Sequence, residues 1–414
     1  MRKPRSIATF AAGASALLIA TCAAQAGGQD FTQVEKGRYL ATAADCVACH
    51  TIQNGGKPFA GGRVIETPFG NITSPNITPD AETGIGSWSD EQFDNAVRNG
   101  VRPDGRRLYP AMPFTSYTKM SHDDVVAIRA YLNTVEPVRH PVIANPLPFP
   151  FNIRASMRVW DALYFRPGDF QPDPQKPADW NRGAFLVEGP GHCAACHTPK
   201  SYLGGDKSDE YLRGSYLQGW FAPNITNDER VGVGQWSSDD IVAYLKTGHN
   251  RVSAATGPMA EEIEHSTSKL KNEDLAAMAA YLKSLPGSAD SPPPLKADDP
   301  VMVAGQAIYR DQCAACHQID GKGVPRLFPS LADSSGVRSR DATTLIRIVL
   351  RGARSVATKQ EPTAPGMPSF GRQLNDDQIA AVVSYVRNAW GRPAAAVAPG
   401  NVSKMRDALS RRAD

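Results

Sequence analysis

Three stretches of the chain carry apolar residues at helical spacing: Asp123 to Thr134, Asn272 to Leu285 and Asp376 to Trp390, containing Tyr131, Tyr281 and Tyr385. Such spacing gathers one apolar stripe per helix, so each stretch predicts a helix laid on a core. Upstream of each comes a Gly followed closely by an aromatic: Gly37 with Tyr39, Gly183 with Phe185 and Gly305 with Tyr309. A side chain that small lets one helix cross another closely. At the start, basic Arg2, Lys3 and Arg5 precede a largely apolar run from Ile7 to Ala20 and a small-x-small site, Ala24-Gln25-Ala26. That order predicts an export leader over residues 1–26, removed to leave Gly27 first. A lipidated Cys22 is the alternative, against which Thr21 stands where Gly or Ala is usual. Later apolar runs are too short to span a membrane, the best stopping at Arg387. The exported body is therefore expected to be soluble.

The pattern repeats. Asn76-Ile77-Thr78 and Asn224-Ile225-Thr226 lie 148 residues apart, as do Trp88 and Trp236. Each pair belongs to a loop and a Gly-x-Gly-x-Trp-Ser turn leading into two helical stretches, so two units are duplicates. A third unit is shorter and has Gly321-Lys322-Gly323 and Pro329-Ser330-Leu331 in place of those loops. With 414 residues, 41% hydrophobic and 8% aromatic, the chain is long enough for two to four cores and is neither disordered nor collagen-like. Charge adds little. Of 45 Lys and Arg against 42 Asp and Glu, three basic residues fall in the leader, leaving 42 against 42. A neutral body has no global field to attract nucleic acid, and none is expected as a partner.

Candidate chemistry comes from cysteine. Apart from Cys22, the six cysteines form Cys46-Val47-Ala48-Cys49-His50, Cys193-Ala194-Ala195-Cys196-His197 and Cys313-Ala314-Ala315-Cys316-His317. At this composition roughly 0.002 such pentapeptides are expected by chance, and the pattern is the attachment signature of c-type haem. Two thiols three positions apart on one helical turn can add to the two vinyl groups of one porphyrin, and the adjacent histidine reaches the iron. Disulfides leave the three histidines unexplained, zinc would want four ligands per site, and a thioredoxin-like pair needs no histidine. Three covalently bound haem c groups are therefore expected, on Cys46 and Cys49, Cys193 and Cys196, and Cys313 and Cys316.

The opposite axial ligand should lie downstream in a Pro- or Gly-containing loop. Met112 stands 62 residues after His50, Met259 stands 62 after His197, and Met367 stands 50 after His317. The pairs His50 with Met112, His197 with Met259 and His317 with Met367 are expected, and a thioether opposite imidazole raises the potential. Met120 is a rival at the first site, and His249 and His265 at the second. Met278 reads as core, His122 as a helix start, and His140 and His192 as surface residues. Each proximal imidazole should donate its other N–H to a backbone carbonyl, with Pro329 the natural acceptor in the third unit and Pro75 and Pro223 weaker choices. Asn71, Asn76, Asn224 and Asn401 match a glycosylation triplet, which a bacterial-type leader gives no reason to use.

With three CysXXCysHis sites, a leader, two similar units and a third distinct one, the chain resembles the tri-haem cytochrome c subunits of bacterial membrane-bound alcohol, gluconate, sorbitol and fructose dehydrogenases. The segment from Leu147 through Met157, Trp160 and Phe165 resembles the linker of that family. The resemblance implies an all-α chain of three tandem cytochrome c-type domains with long loops: residues 27–138, a strap at 139–180, then 181–290, 299–392 and a tail at 393–414. It implies electron transfer without substrate chemistry, from a catalytic subunit carrying flavin or pyrroloquinoline quinone to ubiquinone or a terminal oxidase. The place implied is the periplasmic side of the cytoplasmic membrane. The strap, with Phe149, Phe151, Trp160 and Tyr164, is expected to be ordered, and the tail from Asn401 to be solvated. Two alternatives are a haem enzyme with a labile second site, peroxidase-like or thiosulfate-oxidising, and the partner of a molybdenum hydroxylase or aldehyde dehydrogenase.

Overall fold

The computed structural model describes Met1 and residues 19–144, 146–287, 293, 295–391 and 393–412. Residues 2–18 of the expected leader and the side chain of Cys22 lie outside the described residues. The first unit runs α1 (Ile19–Ala43), α2 (Cys46–Cys49), the hairpin β1 (Val64–Thr67) and β2 (Gly70–Thr73), α3 (Asp90–Asn99), α4 (Phe114–Tyr117) and α5 (His122–Leu132). The strap contains α6 (Met157–Tyr164). The second unit repeats the order as α7 (Ala178–Glu188), α8 (Cys193–His197), β3 (Ser215–Leu217), β4 (Trp220–Ala222), α9 (Ser238–Thr247), α10 (Pro258–His265) and α11 (Asn272–Ser284). The third comprises α12 (Pro300–Ile308), α13 (Ala314–His317), α14 (Thr343–Arg351), β5 (Ala353–Arg354), β6 (Gly366–Met367), α15 (Asp376–Asn388) and α16 (Pro399–Ser410). The fold is thus mostly helical but not wholly so. Each unit carries one short antiparallel hairpin that hydrophobic periodicity did not reveal, because strands of two to four residues are too short to show alternation.

In every unit the opening helix crosses the closing one at the expected glycine. A Cβ built on Gly37 would lie 1.7 Å from the carbonyl oxygen of Ala127, on Gly183 1.9 Å from that of Ala277, and on Gly305 2.2 Å from that of Ala381. The aromatic neighbours close the crossing; Tyr309, for example, packs on Tyr385 with ring centroids 5.4 Å apart. The helices start where the sequence offers caps. Ser89, Ser121, Ser237 and Asn375 each accept from the third residue on, whose side chain returns the bond. Gly100 and Gly248 end α3 and α9 at φ 63° and 79°, a conformation glycine adopts without cost.

Of the aromatics in the strap, Phe149 and Phe151 are exposed. Trp160 and Phe165 are buried on Phe114, with centroids 6.2 and 5.2 Å from it. The tail corrects the expectation of a solvated segment. In α16 Val402 and Leu409 are buried in the third core with Ile346 and Leu350, and Arg406 pairs with Asp376 at 2.9 Å. Spacing Val402, Met405 and Leu409 at three and four residues gives α16 a narrow apolar stripe, and α14 and α15 supply the surface that covers it. Arg412 continues past the third unit to pair with Glu66 on β1 and donate to the carbonyl of Gln218, so the end of the chain touches all three units. Among the described residues no helix is long and apolar enough to cross a membrane.

Candidate haem sites

Each CysXXCysHis cluster forms a short helical turn just after the opening helix. In the duplicated units the residue before the first cysteine turns the chain through the left-handed region, Asp45 at φ 46° and His192 at φ 36°. In the third unit a π-helical turn over Tyr309–Cys313 does the same work, and the Tyr309 hydroxyl donates to the Gln318 carbonyl at 2.6 Å. All six cysteines are free thiols. Burial pushes the Cys46, Cys193 and Cys196 thiols up to about 12. A dithiol redox pair instead needs a lowered thiol, so the thioredoxin-like reading does not fit.

The three histidines share one arrangement. His50 Nδ1 donates to the carbonyl of Pro75 at 2.7 Å, His197 Nδ1 to that of Pro223 at 2.7 Å, and His317 Nδ1 to that of Pro329 at 3.1 Å. Burial holds each imidazole below its ordinary value despite that bond, so each stays neutral with the Nε2 lone pair free. The repeated Asn-Ile-Thr loops fix those carbonyls. Asn76 Oδ1 accepts from the Thr78 amide and hydroxyl at 2.9 and 2.8 Å, and Asn224 Oδ1 from the same groups of Thr226 at 2.8 and 2.8 Å. Asn76 and Asn224 are buried, which also removes them as sites for a glycan.

The second and third sites open into one cavity of about 480 Å³. Its wall includes Cys193, Cys196, His197 and Met259 of the second unit and Cys313, Cys316, His317 and Met367 of the third, together with Trp236, Tyr244, Leu270 and Val383. The two units meet along this wall. The Phe221 amide donates to Thr344 Oγ1 at 2.9 Å, and the Arg347 guanidinium lies 4.5 Å from the Trp220 ring centroid. Met259 sits on the first turn of α10 behind Pro258, and Met367 sits on β6 opposite Ala353. His249 and His265 do not line the cavity. At the first site Met112 packs on the edge of the core with Cys46, Ile77 and Trp88. Its loop leads into Phe114, which the strap covers. The rival Met120 lies fully buried just before the cap of α5, where the other units have Leu270 and Leu374, side chains that cannot ligate.

The donors present fit a haem. Paired thiols, a neutral imidazole and a thioether converge on an apolar chamber at the second and third sites. Trp236, on the chamber wall, has its buried Nε1–H without an acceptor among the described residues, as a group awaiting an acidic substituent would be. Sequence reasoning missed Trp236 in this role, and missed Asp45 and Glu262 altogether; only the left-handed turn before Cys46 and Cys193 could have marked the first of these two. His140 and His192, expected at the surface, are half-buried. His140 Nδ1 bonds the Ala60 carbonyl at 2.8 Å, and the His192 ring packs on Tyr117.

A family profile described as Cytochrome c matches residues 34–136, 181–286 and 302–390. The chain is 42% identical over 395 residues to a gluconate 2-dehydrogenase cytochrome c subunit from Pantoea cypripedii, covering 90% of this chain and 89% of that one. It is 39% identical to the cytochrome c subunit of an alcohol dehydrogenase (quinone) from Gluconacetobacter polyoxogenes, over 96% of this chain and 89% of the relative. The fructose dehydrogenase cytochrome subunit of Gluconobacter japonicus is 39% identical, over 90% and 82%.

Proposed function

The chain belongs to the cytochrome c family, with the domain repeated three times, and from that premise we propose that it is the tri-haem electron-transfer subunit of a membrane dehydrogenase complex. The observation that carries this reading is the threefold set of a thiol pair, a neutral imidazole tied through Nδ1, and a methionine downstream. Haem c, when bound, supplies a one-electron iron couple. Cys46 and Cys49, Cys193 and Cys196, and Cys313 and Cys316 would hold the three groups by thioether bonds. His50 and Met112, His197 and Met259, and His317 and Met367 would fill both axial positions. With both positions taken by the protein no substrate can reach iron, so the subunit moves electrons and catalyses nothing alone. Carbonyls of Pro75, Pro223 and Pro329 keep each imidazole oriented and raise its basicity. The shared cavity supports close passage between the second and third sites.

The names of the relatives support a catalytic partner that oxidises an alcohol, sugar or sugar acid. We take that partner to carry flavin or pyrroloquinoline quinone, and the acceptor to be ubiquinone or a terminal oxidase at the periplasmic face of the membrane. The haem-enzyme alternative placed its weak point at Met259. A helix turn opened by Pro258, with Met259 packed against the cluster of Ala255, Ile263 and Val356, supports full ligation instead. The test is the mass and spectrum of the purified mature chain. Three haem masses, the far-red band of sulfur-ligated ferric haem at full strength and no carbon monoxide binding on reduction are expected. A colourless protein, or carbon monoxide binding at one site, overturns the reading.

A further inference from the structure

The junction between the first two units contains one buried acid, Asp45, and two half-buried ones, Glu261 and Glu262, that axial ligation does not use. Helix α10 of the second unit packs on α2 of the first. Ser266 Oγ donates to the Ala43 carbonyl at 3.3 Å, and Arg63 donates to the Ala48 carbonyl at 2.7 Å while its other nitrogen holds Glu261 Oε2 at 2.8 Å. Next to Glu261, Glu262 lies within hydrogen-bonding reach of the Asp45 carboxyl. Asp45 directly precedes Cys46 and is 6% exposed, and Glu262 lines the cavity of the second site with Cys193 and Cys196. The two carboxyls therefore stand between one attachment site and the next.

Asp45 Oδ1 is buried with no donor among the described residues. Arg63, the cation facing it, is engaged by Glu261. The other titratable groups around the pair are Cys46, Cys49, Cys193, Cys196 and Tyr117, whose hydroxyl is spent on the Ala44 carbonyl at 2.7 Å. Lys200 is held by the Ala194 carbonyl and Asp206, and the His192 ring packs edge-on against Tyr117. A second carboxylate beside a buried one disfavours its ionisation, so Asp45 binds a proton more readily than a solvated acid does. Burial first, then the charge of Glu262, hold Asp45 well above the usual carboxylate range.

We propose that Asp45, with Glu262 beside it, is a proton site shared by the first two redox centres, filled when a neighbouring iron is reduced and emptied when it is reoxidised. The inference rests on the haem reading above. On reduction the iron gains one electron, from an electrode or the partner dehydrogenase, and loses one unit of positive charge. Asp45, whose ionised form burial and the neighbouring Glu262 disfavour, takes one proton from water and passes from carboxylate to carboxyl. Only an O–H bond is made, and oxidation breaks it again.

The test is a spectroelectrochemical titration of the full haem-loaded chain between about pH 5 and pH 9. Two of the three potentials should fall with pH, and because one proton serves both, their slopes together should approach a tenfold change in the reduction equilibrium per pH unit, which is about 59 mV for one electron. The third should stay flat as an internal control. D45N and E262Q should each flatten the two slopes and leave the third centre unmoved. Flat potentials at all three wild-type centres, or slopes that survive both variants, overturn the proposal. Should the variants load haem poorly, infrared difference spectra of the wild type decide. A protonated-carboxyl band that grows on reduction and shifts in D₂O supports the proton site, and its absence refutes it. A wild-type chain with no haem bands overturns the haem reading itself, and this inference with it.

Discussion

Replacing Gly183 with alanine tests the helix crossing on which each unit is built. The new Cβ would lie 1.9 Å from the Ala277 carbonyl oxygen and 2.4 Å from its carbon. Favourable heavy-atom contact begins near about 3.5 Å, so α7 and α11 must part by about 1.5 Å. The obstacle is backbone on both sides and cannot rotate away, which places the overpacking penalty at the upper end of its usual range, about 3 kcal/mol. Gly183 is inside a helix, so alanine returns about 1 kcal/mol of propensity. The net loss is about 2 kcal/mol. For a unit of about 100 residues that lowers Tm by about 10–15 °C. Thermal unfolding followed by far-ultraviolet circular dichroism and by loss of the haem band measures it. The distances order the series, with Gly37→Ala at 1.7 Å the most damaging and Gly305→Ala at 2.2 Å the least. Gly400→Ala, in α16 with nothing within 4 Å, is the control and should leave Tm unchanged or slightly raised. A G183A protein as stable as the wild type, the result that propensity alone gives, would refute the reasoning.

Two further outcomes follow from the packing. Leu409→Ala empties a buried position beneath α14 and should cost about 2–3 kcal/mol; guanidinium unfolding that leaves the third unit's midpoint unmoved would return the tail to solvent. Burial raises the Asp274 carboxyl, but hydrogen bonds from Arg182 and Tyr39 outweigh it and leave Asp274 below its ordinary value. Its contribution is therefore present above the unfolded value near pH 4 and lost as pH falls through the folded one. The Tm gap between wild type and Asp274→Asn should be widest at neutral pH and close below about pH 4; a gap independent of pH would contradict it.

Much of the molecule was legible in one dimension because the features concerned are local. A CysXXCysHis turn needs five residues and an apolar stripe repeats within a dozen, so the attachment turns and the three closing helices stood in the sequence. The glycine–aromatic pairs named the crossing points as well, since a helix can approach so closely only where a side chain is missing. The hairpins were hidden by their brevity. What lay beyond reach was whatever depends on two distant segments meeting. Val402 and Leu409 look like a thin stripe on a charged tail until the faces of α14 and α15 cover them. The sequence preferred Met112 over Met120 by its spacing, and the burial of Met120 just before the cap of α5, where the other units have Leu270 and Leu374, adds a packing reason. Asp45 and Glu262 are two acids 217 positions apart. Asp45 reads as a solvated carboxylate until α10 settles on α2 and takes away its water. Sequence determined which groups could hold a redox centre, because covalent attachment is short-range chemistry. The tertiary structure decided which of them are dry, paired or shared between centres, because burial belongs to the packed whole.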